Sequence, residues 1–222
     1  MPRSDYQQRL AWLKTEVVLM AELVVDRYTE ALAAVSTGDR WLADQVLEGD
    51  TDINERYLEL EAECVDLIAL EQPVASDLRL ITASFKIITD LERIGDLATN
   101  LADYTRAGRS GIHPTVDISS LGGTATEMIQ DAVAAYESTN AEACLEIAQR
   151  DDTLDADCER TNQRIIRGLL TEDSNAENQR SELTAASRGL LTVRDIERVG
   201  DHAVNICART RYMIDGDDKL LY

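Results

Sequence analysis

Lysine is nearly missing from this chain. Only Lys14, Lys86 and Lys219 occur, so almost all of the 22 basic residues are arginines, set against 42 acids and a formal charge of −20. That balance excludes a nucleic-acid binder or a protein resting directly on anionic lipid, because both need basic patches. Acids in such excess with so little lysine are expected of a halophile, whose salt-rich cytoplasm screens the self-repulsion of the fold. Proline is also scarce, with three in 222 residues, and no run alternates with period two, which excludes a sheet protein. No C-x-x-C or other zinc-like spacing links Cys64, Cys144, Cys158 and Cys207. Each cysteine falls among apolar neighbours at helical period, so buried free thiols in a reducing compartment are expected. The polar opening Met1 to Tyr6 is no secretory signal, and the apolar run Val17 to Val25 contains Glu22 and is too short to span a bilayer. A soluble, cytoplasmic protein is the expectation. Walker loops and Gly-x-Ser-x-Gly elbows are absent too, which removes the commonest phosphoryl- and acyl-transfer motifs.

What is present is helix. Leu10, Leu13, Val17, Met20, Val24, Tyr28, Leu32 and Val35 keep the three-and-four spacing of an amphipathic helix, with Gly38 to stop it and Asp39 to cap the next. The second helix carries Leu42, Val46, Ile53, Tyr57, Leu60, Cys64 and Leu67 and ends before Pro73. A third is expected from Val74 to Tyr104. The Gly-, Ser- and Pro-containing stretch Ala107 to Pro114 reads as a linker, in which Arg106 and Arg109 could touch a partner. The plan then repeats, with a helix from Ser119 to Ser138 and a fifth started by the capping-box spacing Thr139 to Glu142. A polar loop, Thr171 to Asn178, precedes a sixth helix from Gln179 to Ile214. The fold class expected is all-α: two tandem three-helix bundles of six long antiparallel helices, with repeats at 1–106 and 119–222 joined by a linker at 107–118.

The repetition is explicit in one motif. Asp90-Leu-Glu-Arg-Ile-Gly-Asp-Leu-Ala-Thr-Asn100 recurs 105 residues later as Asp195-Ile-Glu-Arg-Val-Gly-Asp-His-Ala-Val-Asn205. In both copies a core-type stripe (Leu78, Ile81, Phe85, Ile88; Leu183, Ala186, Leu190, Val193) runs on into two carboxylates one turn apart, Glu92/Asp96 and Glu197/Asp201. Like charges at that spacing cost about 0.2–0.5 kcal/mol, and more when desolvated. Gly95 and Gly200 add about 1 kcal/mol each of helix penalty, which makes sense where another helix backbone comes close. The inward positions of the second and fifth helices hold Asp50 and Asp151, followed a turn later by Asn54 and Asp155. If antiparallel pairs align these groups, four oxygen-bearing side chains converge in each half, a donor set for a hard cation. Acids on solvated faces are the alternative reading. Arg93 and Arg198 are expected to pair with Asp90 and Asp195, three residues back. Asn100 and Asn205 extend the ridge as outer-shell holders of ligands or as bonds between helices. His202 replaces Leu97, which argues against an essential role, and is read as a packing or surface residue, with an auxiliary ligand as the alternative. A di-iron enzyme is improbable, since Ser110 and Val199, not glutamates, stand three residues before His113 and His202.

The doubled Asp-x-Glu-Arg-x-Gly-Asp-x-Ala-x-Asn, with Gln72-Pro-Val-Ala-Ser-Asp-Leu-Arg79 before the first copy, resembles the PhoU family of phosphate-transport regulators. The resemblance implies two tandem three-helix bundles whose Glu/Asp-x-x-x-Asp motifs bind metal ions. By position it implicates Asp50, Asn54, Glu92 and Asp96 in one half and Asp151, Asp155, Glu197 and Asp201 in the other. Iron, manganese, magnesium and zinc are the implied ions. It implies regulation rather than catalysis: restraint of a phosphate ABC transporter through its cytosolic ATPase subunit when phosphate is plentiful, in some cases with a sensor histidine kinase as second partner and as a homodimer. Contact with the membrane would be only peripheral, through the transporter. Asn54 departs from the acid usual at its place, and Asn178 to Leu183 lacks the Pro-x-x-x-Asp-Leu-Arg pattern of the first half. A metal-free acidic adaptor is the rival, in which the acids serve solubility alone.

Overall fold

The computed structural model describes residues 3–107, 117–171 and 176–216. Most of the expected linker, with Arg109 and His113, lies outside the described residues, as do 172–175 of the polar loop and Lys219. The described chain is helical: α1 (Arg3–Thr37), α2 (Arg40–Glu48), α3 (Asp50–Glu71), α4 (Ala75–Ala107), α5 (Ile118–Ser138), α6 (Ala141–Thr171) and α7 (Ala176–Asp215). Helices α1, α2–α3 and α4 form one three-helix bundle, and α5, α6 and α7 the other.

Local chemistry sets the helix ends. Gly38 takes a positive φ of 70° that closes α1, and the Asp39 carboxylate accepts from the amides of Trp41 and Leu42 to open α2. Two expectations need correction here. The single second helix is two, so six arms contain seven helices. They meet at Gly49, where the Arg27 guanidinium lies across the backbone and its Nη1 donates to the Gln45 carbonyl (3.0 Å), satisfying an end-of-helix acceptor. Any Cβ at Gly49 would meet that guanidinium, so the break makes Asp50 the first residue of α3. The second correction is the cap of α6, which is Asn140 and not Thr139. Its Oδ1 accepts from the amides of Glu142 (3.1 Å) and Ala143 (3.2 Å), while Thr139, in the left-handed region, closes α5. Helix α7 also starts earlier than Gln179, because Ala176 and Glu177 favour helix.

One apolar core runs through both bundles. Ile87, Leu91, Ile94, Ala98 and Leu101 of α4 are fully buried, as are Val193, Ile196, Val199, Ala203 and Ile206 of α7. The outer ends of the expected stripes, Leu78 and Leu183, are exposed instead. The halves meet along α4 and α7, which run antiparallel. Arg79 Nε donates to the Met213 carbonyl (3.3 Å) near one end, and an Arg188 amine donates to the Ala107 carbonyl (3.1 Å) near the other. Beside that seam α1 lies against α5, where a Cβ on Gly122 would strike Leu32. The Tyr136 hydroxyl of α5 reaches the buried Ser84 hydroxyl of α4 (2.7 Å). All four cysteines are buried free thiols. No helix among the described residues is long and apolar enough to cross a membrane.

Candidate functional site

Packing of α3 on α4, and of α6 on α7, produces two acidic clefts. In the first, Asp50 and Asn54 of α3 approach Glu92 and Asp96 of α4. Burial raises the Asp50 carboxyl above its usual range and the charge of Asp96 raises it further, against a hydrogen bond from Asn54 and the charge of Arg27. Glu92 is raised chiefly by burial and then by Asp96 and Asp50, with Arg93 opposing. The Asn54 side chain is already engaged, its amide donating to Asp50 Oδ2 (2.8 Å). Arg93 Nε stands 3.5 Å from Glu92 Oε2 and its Nη1 3.6 Å from Asp96 Oδ2. This cleft carries three carboxylates, one amide and two attendant arginines.

The second cleft is more starkly acidic. Asp151, Asp155, Glu197 and Asp201 converge there, and Asp152 adds its charge. Burial and then Asp155, Asp201, Asp152 and Glu197 push the Asp151 carboxyl up to about 7. Asp155 and Glu197 are also raised, by burial first and by neighbouring carboxylates after it. Asp151 Oδ1 is buried without a hydrogen-bond partner. The glycine of the motif explains how it fits: a Cβ on Gly200 would stand 2.7 Å from that oxygen and 2.7 Å from Leu154 Cδ2. At Gly95 the equivalent approach, by Ile53 Cδ1 at 3.1 Å, is milder. Both glycines therefore admit side chains of a neighbouring helix, where the sequence suggested a neighbouring backbone. An open groove of about 560 Å³ adjoins the second cleft, lined by Asp152, Asp155, Ala156, Glu159, Asn162 and Glu197. Asn162 Oδ1, buried and also without a hydrogen-bond partner, was not singled out by sequence spacing.

As the side chains stand, no three His, Cys, Asp or Glu groups among the described residues are drawn into a cluster that could hold a metal ion. The donor chemistry nevertheless fits a hard cation. One buried side-chain oxygen in the second cleft, Asp151 Oδ1, lacks a donor, and mutually repelling carboxylates share a partly desolvated space.

The first aspartate of each motif has a different task. Asp90 does not take Arg93; its Oδ1 meets His202 Nδ1 (2.9 Å) and accepts from Asn205 Nδ2 (3.3 Å), both on α7. Asp195, fully buried, accepts from the Tyr104 hydroxyl of α4 (2.7 Å) and from Arg194 (2.8 Å), with Arg198 at 3.8 Å as expected. The motif thus fastens the repeats together through one face of each helix, while its other face lines a cleft. His202 is a polar bridge rather than packing, and Asn205 bonds a neighbouring helix.

Duplicated three-helix bundles, each with an acidic cleft between two of its helices, define the class: a repeated all-helical scaffold whose distinctive chemistry is acidic. The chain belongs to the PhoU family, whose domain model matches residues 17–105 and again 118–210. It is 35% identical over 96% of its length, and 86% of the relative's, to the phosphate-specific transport system accessory protein PhoU of Edwardsiella tarda. The Escherichia coli protein of that name is 34% identical, with 96% and 87% of the two chains covered. Among solved structures, PhoU of Pseudomonas aeruginosa aligns with a TM-score of 0.84 at 31% identity, covering 96% of this chain and all of the other. The regulatory PhoU of Streptococcus pneumoniae gives 0.85 at 25%, covering 96% and 98%.

Proposed function

We propose that this chain is a cytoplasmic regulator of phosphate uptake and phosphate signalling that restrains a phosphate ABC transporter when phosphate is plentiful, and that it is not an enzyme. Its partner is the transporter's cytosolic ATPase subunit, with a sensor histidine kinase as a second partner and a homodimer as the working form. What supports the transport role is kinship over nearly the whole chain with proteins named for that system. What supports cation binding is the second cleft, and above all the orphaned Asp151 oxygen. Asp151, Asp155, Glu197 and Asp201 would hold one site, and Asp50, Asn54, Glu92 and Asp96 the weaker one. The oxygen donors favour magnesium, manganese or iron over zinc. A bound cation would supply positive charge, letting so acidic a surface approach another protein. The residues themselves position the carboxylates and, through Asp90 and Asp195, keep the two clefts in fixed register.

The test is metal content by mass spectrometry on protein purified in high salt without chelator or histidine tag. Glu92→Ala/Asp96→Ala and Glu197→Ala/Asp201→Ala variants are compared beside it. At least one ion per second cleft, lost only with the Glu197/Asp201 pair, is expected. No metal after incubation with manganese, iron and magnesium would leave the metal-free adaptor. Phosphate uptake by cells lacking the gene, with and without the variants, then tests restraint of the transporter.

A further inference from the structure

Helices α1 and α5 lie side by side across the core from the α4–α7 seam. Lys14 Nζ stands over the Tyr136 ring (5.9 Å) and Leu32 packs at Gly122, so the two helices run antiparallel. An open groove of about 310 Å³ runs between them, walled by 18–26 of α1 and 130–137 of α5. At 1.5 Å per residue it is about 11 Å long, or two helical turns. Ala21 and Val25 of α1 and Val133 and Ala134 of α5 give it an apolar floor of small and branched side chains. Glu22 and Asp26 stand on the α1 side, Glu137 on the α5 side, and no basic residue lines the groove. None of these three carboxylates has an ion pair or a side-chain hydrogen bond among the described residues. Their neighbours on the same two helices do: Glu16, Glu30, Glu127 and Asp131 each pair with an arginine.

We infer that the α1–α5 groove is a docking site for a basic amphipathic helix of another protein, one whose narrow apolar stripe is bordered on both sides by arginine or lysine. A helix laid along two antiparallel helices seats its side chains in the furrow between them, and the methyl groups of Ala21 and Ala134 leave room for that approach. Carboxylates on both rims meet basic residues on both flanks of such a stripe, and they turn away acidic segments and anionic lipid. A second copy of this chain, at a net charge of −20, is a poor match for the same reason. Ala21, Val25 and Val133 are already buried in the free chain, so docking gains little apolar burial and the rim charges decide affinity and orientation. The contact is therefore salt-sensitive and readily reversed. The groove is separate from the acidic clefts, which lie between α3 and α4 and between α6 and α7, and does not depend on their holding a cation.

The experiment measures, by fluorescence anisotropy on the full chain, binding of a labelled synthetic peptide of about 18 residues, long enough to hold a helix, with an alanine, valine and leucine stripe between two rows of arginine. Binding should weaken as salt rises and fall about tenfold or more in Glu22→Gln/Asp26→Asn/Glu137→Gln. Those side chains are exposed and unpaired, so the amide replacements leave the fold intact, which circular dichroism checks. Ala134→Leu, which fills the groove without changing its charge, should also weaken binding. Asp44→Asn/Glu55→Gln/Asp66→Asn takes the same charge from exposed positions on α2 and α3 and should bind like the wild type. So should Glu197→Ala/Asp201→Ala, whether or not the second cleft holds a cation. No binding at low salt, an equal loss in the α2–α3 variant, or a loss that follows the cleft variant instead would overturn the proposal. Light scattering that shows the groove variant splitting a dimer of the protein alone would overturn it too, because the occupant would then be a second copy.

Discussion

Neutralising Asp151 should make the metal-free protein more stable above neutral pH. The carboxyl sits at about 7, against an ordinary value of 3.8, because it is half-buried among four other acids. Folding therefore raises its proton affinity, so the native state binds more protons than the unfolded chain between those two values. Stability must then fall as pH rises from the ordinary carboxylate range, and the loss is complete once pH passes about 7. The full linkage for such a shift would be roughly 4 kcal/mol, and solvent screening of a half-exposed group reduces it to about 1–2 kcal/mol. Asp151→Asn keeps the shape, removes the charge and relieves its neighbours. Urea unfolding in a chelator at about pH 5 and about pH 8.5 measures it. At the lower pH, already above the ordinary carboxylate value, the variant should lead by less than half of that amount, and at the higher by all of it. Added manganese should reverse the order, since a cation favours the carboxylate form. Parallel pH profiles for the two proteins, or a wild type that gains stability toward alkaline pH, would refute the assignment.

Three further outcomes follow from contacts already described. Gly200→Ala should destabilise by about 1–2 kcal/mol in urea, because strain against Asp151 and Leu154 outweighs the helix gain of about 1 kcal/mol. Gly95→Ala, which meets Ile53 at 3.1 and 3.3 Å rather than two groups at 2.7 Å, should cost less, and equal losses at both positions would contradict the difference in approach. Tyr104→Phe should cost about 1 kcal/mol and Asp195→Ala about 2–4 kcal/mol, since the latter strips the partner from Tyr104 and Arg194 in the seam. A double-mutant cycle with no coupling would deny that the pair holds the repeats together. With a net charge of −20, the unfolding midpoint should rise steadily as potassium chloride is raised from low to molar concentration. A flat response in calorimetry would remove charge repulsion as a limit on stability and, with it, the expectation of a salt-rich cytoplasm.

Helix phasing was open to reading from sequence because an amphipathic period of three and four is a local signal, and the buried lines on α4 and α7 follow it. The duplication was open too, since seven identities at one offset need no structure. What stayed hidden depended on the other repeat. An arginine three residues after Asp90 is a good local partner, yet Arg93 turns to Glu92 and Asp96 while Asp90 faces α7. Nothing in the spacing says which face of α4 meets α7, so His202 and Tyr104 could not be assigned. The break at Gly49 was equally invisible. A glycine inside a helical pattern is tolerated, and only the Arg27 guanidinium from α1 makes it a boundary.

That arginine also explains why the two clefts are unequal. In the first half Arg27 reaches from α1 to Asp52 of α3, pairs with Glu30 on its own helix, and lowers the proton affinity of Asp50. In the second half Arg150 of α6, which stands just before Asp151 as Gly49 stands just before Asp50, turns away to Asp131 (2.5 Å) and Glu127 on α5. Arg150 is therefore not among the charges that act on Asp151. Asn54 sharpens the contrast, because its amide gives Asp50 a donor that Asp155 cannot give Asp151. The first half thus meets its own repulsion internally, with two guanidinium groups and an amide. In the second, burial and four neighbouring carboxylates all raise Asp151, and its Oδ1 has no hydrogen-bond partner. Repulsion left uncancelled in the native state is what a cation from solution relieves most. The duplication has therefore yielded one cleft whose repulsion is partly offset by its own residues and one whose carboxylates are left to repel each other.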